Sequence, residues 1–245
     1  MKFIPYESRT KAGEILAEFI INRNQELKKV IEKKKEKVFL FAIPNGGVPV
    51  AEGFCSLLKI NYAILIVRKI KIPYNTEAGF GSVTTDGTVL INESLLPHLN
   101  LSKQSIQRSI EITKREIQER IDFYGKISNV ESYYKSFIMD NYVFITDDGL
   151  ASGYTMLAAI KMIKKYKPKH LFVGVPTAPL HTVNYIKNEI DRVYCPNIRE
   201  TSWFAVADAY KYWYDVSENE VFDIINESKF YHRAPNVTEN DKIIS

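Results

Sequence analysis

Cysteine is almost absent from these 245 residues: Cys55 and Cys195 are the only two, and they form neither a CxxC pair nor a disulfide framework. That usage excludes a disulfide-stapled extracellular scaffold and points to a reducing, cytoplasmic setting. Histidine is scarce too. His98, His170, His181 and His232 are scattered, without HExxH or Cys/His ligand spacing, which removes the common zinc chemistries. No apolar run approaches the ~20 residues of a membrane span. The N-terminal stretch MKFIPYESRTKAGEILAEFI breaks its apolar residues with Glu, Arg and Lys, so no secretory leader is expected. A Walker A loop, GxxxxGK[ST], is missing, as is a GxSxG nucleophile elbow. GFGSVT (79–84) has two glycines of a dinucleotide fingerprint but lacks the third and opens no helix.

What remains is ordinary for a soluble globular protein. Hydrophobic residues make up 45% and charged residues 25%, with a net charge of +4. Much of the basic excess lies in KKVIEKKKEK (28–37). No aromatic residue is interleaved there, so the run reads as the solvated face of a helix rather than a nucleic-acid patch.

Residues 9–22 place Ala12, Ile15, Leu16, Phe19 and Ile20 at helical spacing, and a more polar helix is expected over 24–36. VFLFAI (38–43) is the continuous apolar run of a strand buried on both faces. It stops at Pro44–Asn45–Gly46–Gly47, ahead of a helix over about 48–59. YAILIV (62–67) is a second such strand, ending on Arg68 and Lys69. Residues 70–87 carry Gly, Pro, Thr and Asn without sustained helical periodicity, and read as a long loop feeding a strand at TVLI (88–91). A helix over 101–124, with Ser102 as N-cap, precedes a strand over 142–146 and a helix over 153–166. A strand over 170–175, a helix over 179–188 and a short strand near Val193 follow. The alternation predicts an α/β fold with a doubly wound parallel sheet, helices on both faces. From Ser228 onward the chain reads as a polar peripheral tail, 228–245.

Three unusual loops fall at the carboxyl ends of expected strands: 44–47, 68–82 and 147–155. That edge of a parallel sheet is where ligands bind. In VFITDDGLASGYTMLAAI (143–160), Asp147 and Asp148 end a buried strand, a costly position for two carboxylates with no nearby partner in sequence. Ser152 and Thr155 then supply hydroxyls, Gly153 permits close backbone approach, and a helix start offers unpaired N–H groups. This composes a monophosphate pocket beside carboxylates placed to accept hydrogen bonds from sugar hydroxyls. The plainer alternative is an N-capping turn with both aspartates solvated.

The same segment resembles the signature of type I phosphoribosyltransferases that binds phosphoribosyl pyrophosphate (PRPP): an apolar strand, two acidic residues, small residues, then a [ST]G-x-T turn. AIPNGGVPVAEGF resembles the pyrophosphate loop of that family, and VRKIKIPYNTEAGFGSV the basic strand end and flexible loop of a bacterial and archaeal group within it. VGVPTAPL and FAVADAYKYWYDVSENEV resemble later segments, so the likeness runs from about residue 9 to residue 225. It implies one domain over 1–227, with a flexible loop over 70–82 closing on substrate and a small C-terminal hood over approximately 195–227. By it, Asp147 and Asp148 bind the ribose hydroxyls, and Ala151, Ser152, Gly153, Tyr154 and Thr155 cradle the 5′-phosphate. Asn45, Gly46 and Gly47 hold pyrophosphate with Arg68 and Lys69 as the catalytic cations. Glu77, Trp203 and Phe204 are candidates for contacting the acceptor; Tyr210, Tyr212, Trp213 and Tyr214 read as core or surface aromatics. Mg²⁺ is the implied cofactor, carried by substrate oxygens and water rather than by direct protein ligands, near Asp147 and Asp148. The implied partners are PRPP and a small-molecule acceptor, with neither nucleic acid nor membrane; a homodimer is compatible.

A non-proline cis peptide within Pro44–Asn45–Gly46 is expected from the resemblance. Two departures stand out. Relatives generally carry Arg or Lys where this chain has Asn45, which weakens one expected pyrophosphate contact. Hypoxanthine and guanine enzymes place an acid where this chain has Ala151, so a 6-oxopurine acceptor is disfavoured. Three functions stay open: a PRPP-dependent transferase, a non-catalytic PRPP-binding regulator on the same fold, and a hydrolase of phosphorylated sugars or nucleotides. Pyrophosphate release with an acceptor, binding without turnover, and ribose phosphate release without an acceptor separate them.

Overall fold

Val38, Leu40 and Ala42 face one side of the central sheet while Phe39 and Phe41 face the other, and all five are buried. Such a strand needs a layer of helices on each side. A computed structural model of the chain describes residues 3–233 except 126, 128 and 202, and at 76 and 77 the backbone alone. In chain order its elements are α1 (Arg9–Arg23), α2 (Gln25–Lys34), β1 (Val38–Ala42), α3 (Gly47–Leu58), β2 (Asn61–Ile64), β3 (Val67–Ile72), β4 (Asn75–Thr84) and β5 (Val89–Ile91). There follow α4 (Lys103–Tyr124), α5 (Val130–Ile138), β6 (Tyr142–Thr146), α6 (Tyr154–Lys165), β7 (His170–Gly174), β8 (Thr177–Pro179), α7 (Leu180–Ile186), β9 (Arg192–Tyr194), β10 (Asn197–Arg199) and α8 (Glu218–Glu227). Among the described residues no helix is long and apolar enough to cross a membrane.

The central sheet is parallel throughout, in the order β2-β1-β6-β7-β9. The chain leaves β1 toward β2, then returns past β1 to β6. The order therefore reverses between β1 and β6, and a crevice opens beyond their carboxyl ends, where open α/β sheets bind ligands. One core joins α1, α3 and α8 to the sheet through Leu16, Ile20, Phe54, Val221 and Ile225. The opposite core joins α5, α6 and α7 through Tyr134, Ile138, Ile160, Ile163 and Ile186. The doubly wound α/β reading holds.

Three local expectations change. First, YAILIV is not one strand: β2 ends at Ile64, and the Thr85 hydroxyl takes both backbone groups of Ile66, donating to its carbonyl at 3.1 Å and accepting from its N–H at 2.8 Å. Those bonds draw the chain out of the central sheet. Second, the long loop over 70–87 is instead β3 and β4 of an antiparallel sheet, order β3-β4-β5. Ile70 and Ile72 are buried between exposed Lys69 and Lys71, the period-two pattern of a half-buried strand. Gly79 and Gly81 suggested a loop, but they mark close approach. A methyl at Gly79 would strike the Lys69 stem, and one at Gly81 the Leu90 carbonyl. Third, within the expected polar peripheral tail, residues 230–232 pair with the sheet. Tyr62 donates its N–H to the Phe230 carbonyl at 2.9 Å and accepts from the His232 N–H at 2.7 Å, so this segment covers the outer edge of β2. The remainder of the expected tail, 234–245, lies outside the described residues.

The tightest helix crossing positions the site. α1 and α3 meet at Gly13 and Gly53: a methyl on Gly13 would collide with the Val50 carbonyl and lie 2.9 Å from the Phe54 nitrogen, and one on Gly53 would strike the Thr10 carbonyl. This contact fixes the start of α1, which carries Arg9, against α3, which begins at the glycine loop. Gly13→Ala is expected to cost about 1–3 kcal/mol through overpacking, measured as a lower urea midpoint with an unchanged m-value.

Candidate active site

The loop after β1 contains a cis peptide bond between Pro44 and Asn45. It lies against the end of β6: the Ile43 N–H donates to the Thr146 carbonyl at 2.9 Å, extending the strand pairing. A side chain at Gly46 would run into the Asp148 carboxylate, and one at Gly47 would lie 2.9 Å from the Thr146 carbonyl and 3.0 Å from the Asp147 Cα. Glycine is therefore required here for approach. The Gly47 N–H, expected to face pyrophosphate, donates instead to the Ile43 carbonyl at 3.1 Å. The Val48 N–H likewise donates to the Asn45 carbonyl at 3.2 Å.

Asp147 and Asp148 stand side by side, and the Asp148 N–H donates to Asp147 Oδ1 at 2.8 Å. Burial first, and the adjacent Asp148 charge second, push the Asp147 carboxyl well above the usual carboxylate range. Burial also raises Asp148, opposed by Arg9. Arg9 is the partner that sequence reading missed. Its Nε donates to Asp148 Oδ2 at 2.8 Å and its Nη2 to the Tyr214 carbonyl at 2.9 Å, with only 6% of its side chain exposed. The guanidinium lies 4.2 Å from the Trp213 ring centroid, with Tyr214 and Tyr210 at 5.3 and 5.5 Å. Those aromatics thus enclose the cation that offsets the aspartate pair. The Tyr210 hydroxyl also donates to the Asp148 carbonyl at 2.6 Å. Nothing local in sequence links Arg9 to residues 148 and 214; only the fold does.

The turn expected to cradle phosphate sits one step further on. Gly153 adopts a left-handed conformation (φ 80°) as the N-cap of α6, and no side chain caps that helix. By contrast Ser8, Asn24, Ser102, Asn129 and Ser217 cap α1, α2, α4, α5 and α8 with side-chain bonds. The Leu157 N–H closes the first turn onto the Gly153 carbonyl at 2.9 Å, so the N–H groups of Tyr154, Thr155 and Met156 precede that ladder. Thr182 Oγ1 donates to the Ala151 carbonyl at 2.6 Å and holds the turn from α7. Ala151 and Ser152 are exposed.

The other expected residues divide. Arg68 and Lys71 each lie 3.7 Å from Glu116 of α4. Lys69 is exposed, with its stem over Gly79. Trp203 is 92% exposed. Phe204 is half-buried, and the Glu77 side chain lies outside the described residues. Asn45 is bonded on both sides: its Nδ2 donates to the Val216 carbonyl at 2.7 Å, and its Oδ1 accepts from Arg120 Nη1 at 3.0 Å.

This glycine loop, acidic strand end and open helix start lie within a known pattern. Residues 11–213 match the phosphoribosyl transferase domain. The chain belongs to that family. Two curated relatives from Mycobacterium tuberculosis, "Putative phosphoribosyl transferase Rv0571c" (strain H37Rv) and "Putative phosphoribosyl transferase MT0597" (strain CDC 1551), are each 25% identical over 233 residues. The match covers 91% of this chain and 47% of either relative, so the chain spans about half their length. Among solved structures, TT1426 from Thermus thermophilus shares the fold with a TM-score of 0.68 at 22% identity, covering 90% of this chain and 97% of that one.

The raised Asp147 gives a signed stability expectation. The folded state binds the Asp147 proton more tightly than the unfolded chain, whose carboxyl titrates near ~3.9. Ionised Asp147 therefore costs stability above the folded pKa, and that cost fades as pH falls through it. Asp147→Asn is expected to raise stability at neutral pH by roughly 0.5–2 kcal/mol, the usual range for relieving such a site, with the gain vanishing in acid. Arg9→Gln should act oppositely. Its loss at neutral pH, on the order of 3 kcal/mol for breaking a buried pair, should shrink as the aspartates protonate. Urea titrations of the three proteins at several pH values check both signs.

Proposed function

We propose that this chain transfers the ribose 5-phosphate group of PRPP to a small nitrogenous acceptor and releases pyrophosphate. The observation that carries the proposal is the meeting, at the β1/β6 switch point, of two carboxylates, an uncapped helix start and a glycine loop. The start of α6, with Thr155, suits the 5′-phosphate. Asp147 and Asp148 suit the ribose hydroxyls, which donate to carboxylate oxygens. The loop at 44–47 lies on the side where pyrophosphate would depart. The C1′–O bond to pyrophosphate breaks with its electron pair leaving on that oxygen, the acceptor nitrogen supplies the pair for the new C1′–N bond, and the acceptor then gives up a proton. Positive sugar charge develops beside the aspartates, and negative charge beside the cations of α4 and β3. Catalysis is then positioning plus charge stabilisation.

Mg²⁺ fits this site as an ion carried mainly by PRPP oxygens and water, near the hard oxygens of Asp147 and Asp148. Among the described residues no three acidic, His or Cys side chains group to hold a metal by themselves. When bound, the ion would neutralise pyrophosphate charge. A non-catalytic PRPP-binding regulator is the second reading. It is favoured by the pairing of Arg9, Arg68 and Arg120 with carboxylates in this conformation.

PRPP with Mg²⁺ is expected to raise the melting temperature. At a hundredfold excess over Kd the stabilisation is roughly 2.7 kcal/mol. A folded Asp147→Asn/Asp148→Asn variant should lose most of that shift, and an undiminished shift would refute the ribose assignment. A screen of bases and amines for pyrophosphate release then separates transferase from regulator.

A further inference from the structure

The pyrophosphate loop lacks the Arg or Lys that its position 45 leads one to expect, yet a guanidinium stands there all the same. Arg120, in the penultimate turn of α4, is 13% exposed and donates from Nη1 to Asn45 Oδ1 at 3.0 Å. Its Nη2 meets Glu218 Oε1 of α8 at 2.5 Å. Asn45 is locked in that orientation, because its Nδ2 is spent on the Val216 carbonyl. The asparagine thus presents its oxygen to the arginine. Glu116, one helical turn earlier on the same face of α4, holds Arg68 and Lys71. α4 therefore carries Arg120 against the glycine loop and, one turn away, holds two cations of β3.

We infer that Arg120 is the pyrophosphate-binding cation of this site, delivered from α4 to the loop and aimed by Asn45. The inference rests on the transferase reading above. A guanidinium carries five N–H donors in a planar fork suited to phosphate oxygens, and Asn45 and Glu218 engage two of them. Glu218 occupies the guanidinium in this conformation as the anion does when bound, so pyrophosphate and Glu218 compete for it. Asn45 is then no weakened donor but the acceptor that orients Arg120. Asn45→Arg, which the sequence alone would suggest as a repair, sets two cations together and removes that acceptor.

The test uses calorimetric titration with two probes, Mg²⁺-pyrophosphate and ribose 5-phosphate, on the full chain. Arg120→Gln is expected to weaken pyrophosphate by about tenfold to a hundredfold, the loss of one hydrogen bond between charged groups. Ribose 5-phosphate affinity should stay unchanged, and Arg120→Lys should recover part of the loss. Equal weakening of both probes, or of neither, overturns the assignment. Should Arg120→Gln fail to fold, Glu218→Gln decides: tighter pyrophosphate binding supports the competition, and unchanged or weaker binding overturns it. Wild-type protein that binds ribose 5-phosphate but not pyrophosphate removes Arg120 while keeping the sugar-phosphate reading. Binding of neither removes both.

Discussion

Two carboxylates at the end of one buried strand are the constraint around which this molecule is arranged. Asp147 and Asp148 sit where burial disfavours their charge, and the Asp148 charge pushes Asp147 further up. The glycines at 46 and 47 let the neighbouring loop lie directly on them. Arg9 crosses from the start of α1 to offset one of them, and three aromatic rings keep that arginine in place. The glycine crossing of α1 on α3 fixes where Arg9 and the loop stand. A molecule selected only for stability would have no use for such an aspartate pair; strain of this type gathers at sites that bind or react.

The segment from Tyr210 to Glu218 binds these parts into one unit. The Tyr214 carbonyl accepts from Arg9, the Val216 carbonyl from Asn45, and the Glu218 carboxylate pairs with Arg120. Three alternate residues of one short stretch thus reach the arginine beside the acidic pair, the glycine loop and the long helix. Arg9, Arg68 and Arg120 each have a carboxylate partner: Asp148, Glu116 and Glu218. On the proposed function, a polyanion would compete for these paired guanidinium groups, so binding would exchange partners rather than bury bare cations.

The layers of the fold are legible in sequence because their signals are local. VFLFAI and the strand ending in Asp147 read as buried on both faces, and the Ser102 cap and the α6 pattern mark helix starts within a residue or two. The Pro44–Asn45 cis bond is legible too, through resemblance of the loop that holds it. The hairpin β3–β4 escapes although Ile70 and Ile72 alternate with lysines, because Gly79 and Gly81 suggest loop flexibility where they serve close strand approach. α5 and α8 escape despite their Asn129 and Ser217 caps, since both helices are short and follow polar stretches. The residues expected at the site, Asp147, Asp148, the turn at 151–155 and the glycine loop, form one motif-bearing edge and can be read from sequence. Arg9 and Arg120 cannot.

That last difference has a physical cause. A residue-by-residue resemblance transfers chemistry only where position and chemistry stay together. At residue 45 the position is kept and the cation is gone, so sequence comparison registers a deficit. In space the same charge stands 3.0 Å away on a helix 75 residues further along the chain. Electrostatic stabilisation depends on where a charge lies and how firmly it is held, and not on which element carries it. A guanidinium braced by an asparagine oxygen and a helix backbone is at least as well fixed as one at the tip of a loop. On the inference that Arg120 serves pyrophosphate, the loop residue and the distant arginine act as one feature, and either read alone suggests a different substitution.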